Sequence, residues 1–111
     1  HAEHAPRMKL VLSFLEEAAA IAADKQGLVV FMQANPFFTL PRDGFASLRT
    51  RLAALAERTP GKVVLIHGDT HLHRDDEPLP GLRRIEVWGS PVVSWIRASI
   101  SPVGLRVDAV R

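Results

Sequence analysis

Residues 67 to 74 read HGDTHLHR. Three histidines, His67, His71 and His73, and one carboxylate, Asp69, fall within seven positions. Neutral imidazole and carboxylate are the usual ligands of zinc, manganese or iron where thiolates are absent, and the chain contains no cysteine. On an extended backbone residues 69, 71 and 73 share one face. Gly68 allows a tight turn that points Asp69 and His71 inward together. Asp69 and His71 therefore rank first as metal ligands. His67 and His73 rank second, and either would also serve as a general acid or base. On spacing alone the competing reading is a solvated polar loop with an Asx-turn at Asp69.

These residues follow KVVLI (62–66), a continuous apolar run that reads as a buried strand. LVVFM (28–32) reads the same way and ends in Gln33 and Asn35. Each run is preceded by a segment with helical spacing. Met8 to Asp24 carries Leu10, Val11, Phe14, Leu15, Ala18, Ile21 and Ala22, and Gly27 ends it. The second segment carries Phe45, Leu48, Leu52, Leu55 and Ala56, with Asp43 as N-cap and a Thr-Pro-Gly stop at 59–61. Two strands joined through a helix are expected to be parallel neighbours with a right-handed crossover. Ligands gather outside the carboxyl ends of such strands, so Gln33 and Asn35 would meet the HGDTHLHR loop. Residues 67–81 read as one long polar loop, with Asp75, Asp76 and Glu77 solvated. RRIEVW, VVSWIRASI and LRVDAV read as antiparallel, half-exposed strands that extend the sheet as a meander. In this reading Arg83 and Arg84 keep a strand edge soluble, and Trp88 and Trp95 pack on adjacent strands. The predicted order is α-β-α-β-β-β-β, a single α/β domain over residues 1–111 with a mixed sheet and two helices. Residues 1–7 are expected to be flexible or partner-bound, and His1 and His4 are remote candidates for the metal set.

The whole chain has 111 residues, 47% of them hydrophobic and 23% charged, the balance of an ordinary globular domain. A net charge of +2, with scattered and mostly arginine bases, does not indicate nucleic acid. No apolar run reaches the roughly 18 residues needed to span a bilayer. Nothing resembles a targeting segment, so the expected location is cytoplasmic.

The strand and loop VVLIHGDTHLHR resemble the last metal-binding block of the calcineurin-like metallophosphoesterases, in which a strand ends in Gly-His-x-His. Gly68, Asp69, Thr70 and His71 occupy those four places. The likeness is closer to a bacterial branch whose block looks like vHGDsHyfR. GLVVFMQANPF and RRIEVWGSPVVSWIRASISP are similar to two further blocks of that branch, so the likeness runs from about Glu3 onward. Gln33 takes the place where most members carry a ligand histidine. The resemblance implies a metal-dependent phosphoester hydrolase acting through a metal-activated water, with one or more Zn, Mn or Fe ions and a small phosphoester substrate. The implied ligand set is Asp69, His71, His67, His73 and Gln33, and His67, His73 and Arg74 are the candidate catalytic groups. Asn35, Phe37 and Arg74 are the candidate substrate contacts, with Phe37 also readable as simple packing.

The family's earlier blocks (Asp-x-His, Gly-Asp, and Gly-Asn-His-Asp or Glu) have no counterpart upstream. The chain is thus similar to the C-terminal half of the four-layer α/β/β/α sandwich, a half whose uncovered sheet calls for a partner. A homodimer that pairs two half-sites is one expectation. A catalytically inactive domain that folds and oligomerises, or one half of a split enzyme, is the alternative.

Overall fold

The computed structural model of the protein describes residues 4–25, 27–38, 44–89, 94–102 and 104–110. The two apolar runs form β1 (Leu28–Met32) and β2 (Val63–His67), paired in parallel from Leu28 with Val63 to Met32 with His67. The helices are α1 (His4–Ala22) and α2 (Ala46–Arg58). The expected α/β class, with two helices and a mixed sheet, is present.

Three features differ from the sequence reading. First, the polar segment 67–81 contains a strand, β3 (Arg74–Leu79), so the chain has one strand more than expected. It forms an antiparallel hairpin with β4 (Leu82–Glu86). Opposite charges explain this: Arg74 lies across from Glu86 and Asp76 across from Arg84, and such cross-strand pairs favour a ladder over a solvated loop. Second, β4 is central. It runs parallel to β2 and lies between β2 and β3, giving the order β1-β2-β4-β3. Arg84 is therefore buried, not a solubilising edge residue. Third, β5 (Trp95–Ser101) and β6 (Gly104–Val110) form a separate antiparallel pair and do not extend the main sheet. Trp95 is exposed on β5 beneath the Arg97 guanidinium, while Trp88 follows β4 and stacks on His73, so the tryptophans do not pack on adjacent strands.

The alternation of side chains across the sheet divides the core in two. Val63, Leu65 and Leu82 face the helices and pack with Leu48, Leu52, Leu55, Ala56 and Leu15. Val64, Ile66 and Ile85 face the other way and pack with Val107 of β6. β2 is buried on both faces, which is why its sequence is continuously apolar. The expected face of α2 is the observed one, although its N-cap is Phe45, without a side-chain cap bond. Asp43 lies outside the described residues.

The first helix begins earlier than expected, and its buried face is not the predicted one. Leu15 is buried, with Met8, Leu12 and Ala19 packed against the same core. Leu10, Val11, Phe14 and Ile21 are exposed. The helical period was correct, but α1 is apolar around more of its circumference than this core covers. Residues 4–7 belong to α1; His1 and the side chain of His4 lie outside what the structure describes. Among the described residues no helix is long and apolar enough to cross a membrane.

Two tight turns meet beneath α2, where the Gly61 N–H donates to the Gly81 carbonyl at 3.1 Å. Both glycines have positive φ, +76° and +81°. A Cβ at Gly61 would meet open space, whereas one at Gly81 would lie 2.8 Å from the Ala56 carbonyl oxygen and 3.4 Å from Pro60 Cα. Gly61→Ala should therefore cost only the left-handed backbone penalty of about 1–2 kcal/mol. Gly81→Ala should cost distinctly more, because backbone must move, and urea denaturation of the two variants measures the difference.

Candidate functional site

Because β1 and β2 are parallel neighbours, their carboxyl ends deliver two loops to one place, as expected. Residues 33–38 leave β1 and residues 68–73 leave β2. The Gly68 N–H donates to the Gln33 carbonyl at 3.1 Å. Asn35, only 2% exposed, joins the loops. Its backbone N–H reaches Asp69 Oδ2 at 3.4 Å and its side-chain amide reaches Thr70 Oγ1 at 3.3 Å. Its Oδ1 accepts from the Phe37 N–H at 2.9 Å. Asn35 is thereby engaged in holding the loops together. Phe37 is half-buried with the Arg84 guanidinium 5.3 Å above its ring.

The organiser of the second loop is Glu86, a residue the sequence reading passed over. It ends β4 on the helix-facing side and is fully buried. Its Oε2 accepts from the Thr70 N–H at 3.1 Å, from the Thr70 hydroxyl, and more distantly from the Leu72 N–H at 3.5 Å. Its Oε1 has Arg74 Nε at 3.5 Å but no hydrogen bond within normal geometry. The signal in the sequence was a lone acid at alternating spacing in RRIEVW. It becomes legible only once β4 is known to be central.

His67 is buried, with 1% exposure. Its Nδ1 lies 2.8 Å from the Gly68 carbonyl oxygen and its Nε2 lies 3.3 Å from Arg84 Nη1. A carbonyl can only accept and a guanidinium can only donate. The ring is therefore the neutral tautomer with the proton on Nδ1, and both nitrogens are engaged. Burial pushes the His67 pKa down, while the bond to Gly68 opposes the shift. Arg84 continues the network into a two-pronged pair with Asp76, at 2.6 and 2.7 Å. Arg83 forms a similar pair with Asp75 at 2.9 and 2.7 Å. Each hydrogen-bonded guanidinium holds its partner carboxylate below the usual range. Asp75 and Asp76 are thus strand partners of arginines and not a solvated acidic run.

Asp69, His71 and His73 are exposed at the loop surface. Asp69 and His71 have φ of +88° and +60°, the two positive-φ non-glycine residues among those described. The His71 ring lies against Gly89, where a Cβ would come within 2.4 Å of it. His73 stacks on Trp88 with ring centroids 3.9 Å apart. Its Nδ1 lies 3.0 Å from the Glu86 carbonyl oxygen. A carbonyl can only accept, so the proton sits on Nδ1 and the lone pair of the neutral ring on Nε2. That is the arrangement in which histidine meets a metal. Gln33 is exposed, with its side chain beside Gly68. Arg74 is partly exposed at the loop's end.

The candidate residues thus lie at the end of β2 and on the loops that leave β1 and β2, but in unequal states. His67 has no ring nitrogen to offer, while His73 is the better prepared imidazole. Among the described residues no three His, Cys, Asp or Glu side chains gather closely enough to hold a metal ion. As arranged, the donors do not form a complete cation site. No protein-family model matches the chain, and no curated protein or solved structure matches it.

Removing the Glu86 carboxylate would strand several donors at once. Glu86→Ala should destabilise the fold by about 3 kcal/mol or more, and Glu86→Gln by less, since an amide oxygen still accepts. Urea unfolding gives both values, and the His71 and His73 ring resonances should shift in each variant.

Because its folded pKa is lowered, His67 makes the unfolded chain bind more protons just below the ordinary value of 6.5. Its contribution to stability is complete above that pH and is lost as the pH falls from 6.5 toward the folded value. Stability measured across this window should decline with acid in the native protein and decline less steeply in His67→Gln.

Proposed function

We propose that the HGDTHLHR loop is the ligand-donating part of a divalent-metal phosphoester hydrolase site, completed by ligands from outside the described residues. The observation that supports this most is the state of the loop. Asp69 and His71 are held at positive φ, and His73 is fixed in the tautomer that offers Nε2. Strained backbone persists only where its surroundings over-determine it, and such residues cluster at functional sites. Asp69, His71 and His73 are the donors in this reading. Gln33 sits beside them, and Arg74 brings a guanidinium to the same surface for a phosphate oxygen. Asn35 and Glu86 hold the donors in place without touching the substrate. The chemistry of such a site belongs to the bound cation, through the water it activates.

A second reading is a folded unit that binds no metal and turns nothing over. It is favoured by the absence, among the described residues, of any three converging donors.

Calorimetric titration with Zn²⁺ and Mn²⁺, paired with turnover of a p-nitrophenyl phosphodiester, separates the two. The first reading expects binding that weakens at least tenfold in Asp69→Ala and His71→Ala, with turnover weak or absent in the chain alone. Unchanged binding in both variants, or no binding at all, would leave the second reading standing.

A further inference from the structure

Arg74, Arg83 and Arg84 each have a carboxylate across the β3–β4 hairpin. For Arg83 and Arg84 the pair is closed. Arg83 holds Asp75 at 2.9 and 2.7 Å, and Arg84 holds Asp76 at 2.6 and 2.7 Å. In both, two guanidinium nitrogens meet the two oxygens of the acid, the strong fork-to-fork form of the pair. The pair of Arg74 is open. Arg74 lies across from Glu86 in the ladder, yet its Nε stands 3.5 Å from Oε1, outside hydrogen-bond geometry. The Arg74 guanidinium makes no hydrogen bond among the described residues.

The cause lies in the HGDTHLHR loop. A carboxylate closes on a guanidinium only when both of its oxygens are available. Glu86 Oε2 is already engaged by the Thr70 N–H and hydroxyl and, at 3.5 Å, by the Leu72 N–H. Oε1 alone is left to face Arg74. It is buried, whereas the Arg74 side chain is 41% exposed. A buried carboxylate keeps a counter-charge beside it, so Arg74 is held in place by charge while its N–H donors stay unused. A guanidinium placed in this way is prepared for an acceptor from outside, because part of its ordering cost is already met.

We propose that Arg74 is an oxyanion receptor that takes a phosphate group on its unused N–H donors, restrained from behind by Glu86 and independent of any metal ion. A planar, permanently charged donor set matches oxyanions better than a lysine would. The choice of phosphate among oxyanions rests on the reading of this loop as part of a phosphoester site. The next acids along β3 do not oppose an incoming anion, since Asp75 and Asp76 are each matched by an arginine. Glu86 has one oxygen on the loop and the other toward Arg74, so a single side chain sets the place of both.

The test is titration of the chelator-treated full chain with inorganic phosphate at low ionic strength, followed through the amide resonances of residues 69–74. In the native protein the shifts should saturate. Arg74→Gln should weaken binding about tenfold, since a charge-assisted donor set is lost. Arg83→Gln makes the same change of charge on the same hairpin, at a side chain of similar exposure (39% against 41%). Its guanidinium is engaged by Asp75, so binding should stay at the native level. Arg74→Lys keeps a cation beside Glu86 without the planar fork and should fall between the two. Equal weakening in Arg74→Gln and Arg83→Gln would reveal attraction to net charge alone and overturn the proposal, as would a native chain whose shifts do not saturate. The result is separable from the hydrolase reading. Phosphate bound at Arg74 by a chain that takes up no Zn²⁺ would uphold the receptor and sink that reading, and Zn²⁺ uptake with no response to phosphate would do the reverse.

Discussion

The arrangement at the carboxyl ends of the strands depends on one buried carboxylate. Glu86 sits with no exposure at the end of a central strand, where a lone charge would be heavily penalised. It is tolerated because Thr70 gives it two donors, Leu72 a more distant third, and Arg74 brings a guanidinium to 3.5 Å. The dependence runs both ways. Those donors belong to a turn that no regular hydrogen-bond ladder satisfies, and without an acceptor at this point they would have no internal partner. The backbone carbonyl of the same residue fixes His73. One residue therefore sets the path of the loop through its side chain and the orientation of an imidazole through its main chain.

A second charge system begins one pair away along the same strand. Arg84 is buried between His67 and Asp76. Its presence decides that His67 is neutral and donates through Nδ1. Asp76 belongs to β3, so the pair that neutralises Arg84 also helps to make residues 74–79 a strand. The sheet and the site share these residues, and a change to either arginine alters both. The core on the helix side is apolar where α2 meets β2 and β4 through Leu52, Leu65 and Leu82, although Leu65 lies across the sheet from Arg84.

What could be read from the sequence followed from pattern, and what could not depended on tertiary pairing. LVVFM and KVVLI announced buried strands because both faces are apolar. Leu48, Leu52, Leu55 and Ala56 announced the buried face of α2 because their spacing leaves only one stripe. The HGDTHLHR loop was visible from residue type alone. Asp75 and Asp76 differ from the solvated run expected because their counter-charges, Arg83 and Arg84, lie across a turn; Glu77 is exposed, as expected. Nothing local distinguishes a solvated acid from one opposite an arginine. Glu86 was missed for the same reason, since burial of a lone acid is a property of its strand's place in the sheet. In α1, Leu10, Val11, Phe14 and Ile21 carried the right period and the wrong assignment. A helix apolar on most sides does not reveal which side its own core will take.

The backbone of the loop adds a constraint that side-chain chemistry alone does not. Asp69 tolerates positive φ because its short side chain bonds locally, and here Oδ2 receives the Asn35 N–H. Histidine is also among the residues found at positive φ, though a left-handed residue with a Cβ still costs roughly 1–2 kcal/mol. A connection that needed only to turn would be more stable with glycine or asparagine at that position. The surrounding bonds hold the strain in place: Thr70, between the two strained residues, is fixed by Glu86 and Asn35, and His71 is seated where Gly89 leaves room for its ring. The backbone cost at 69 and 71 is thus offset by contacts within the loop and against Gly89 and Trp88, and the same contacts hold Asp69, His71 and His73 exposed at the surface.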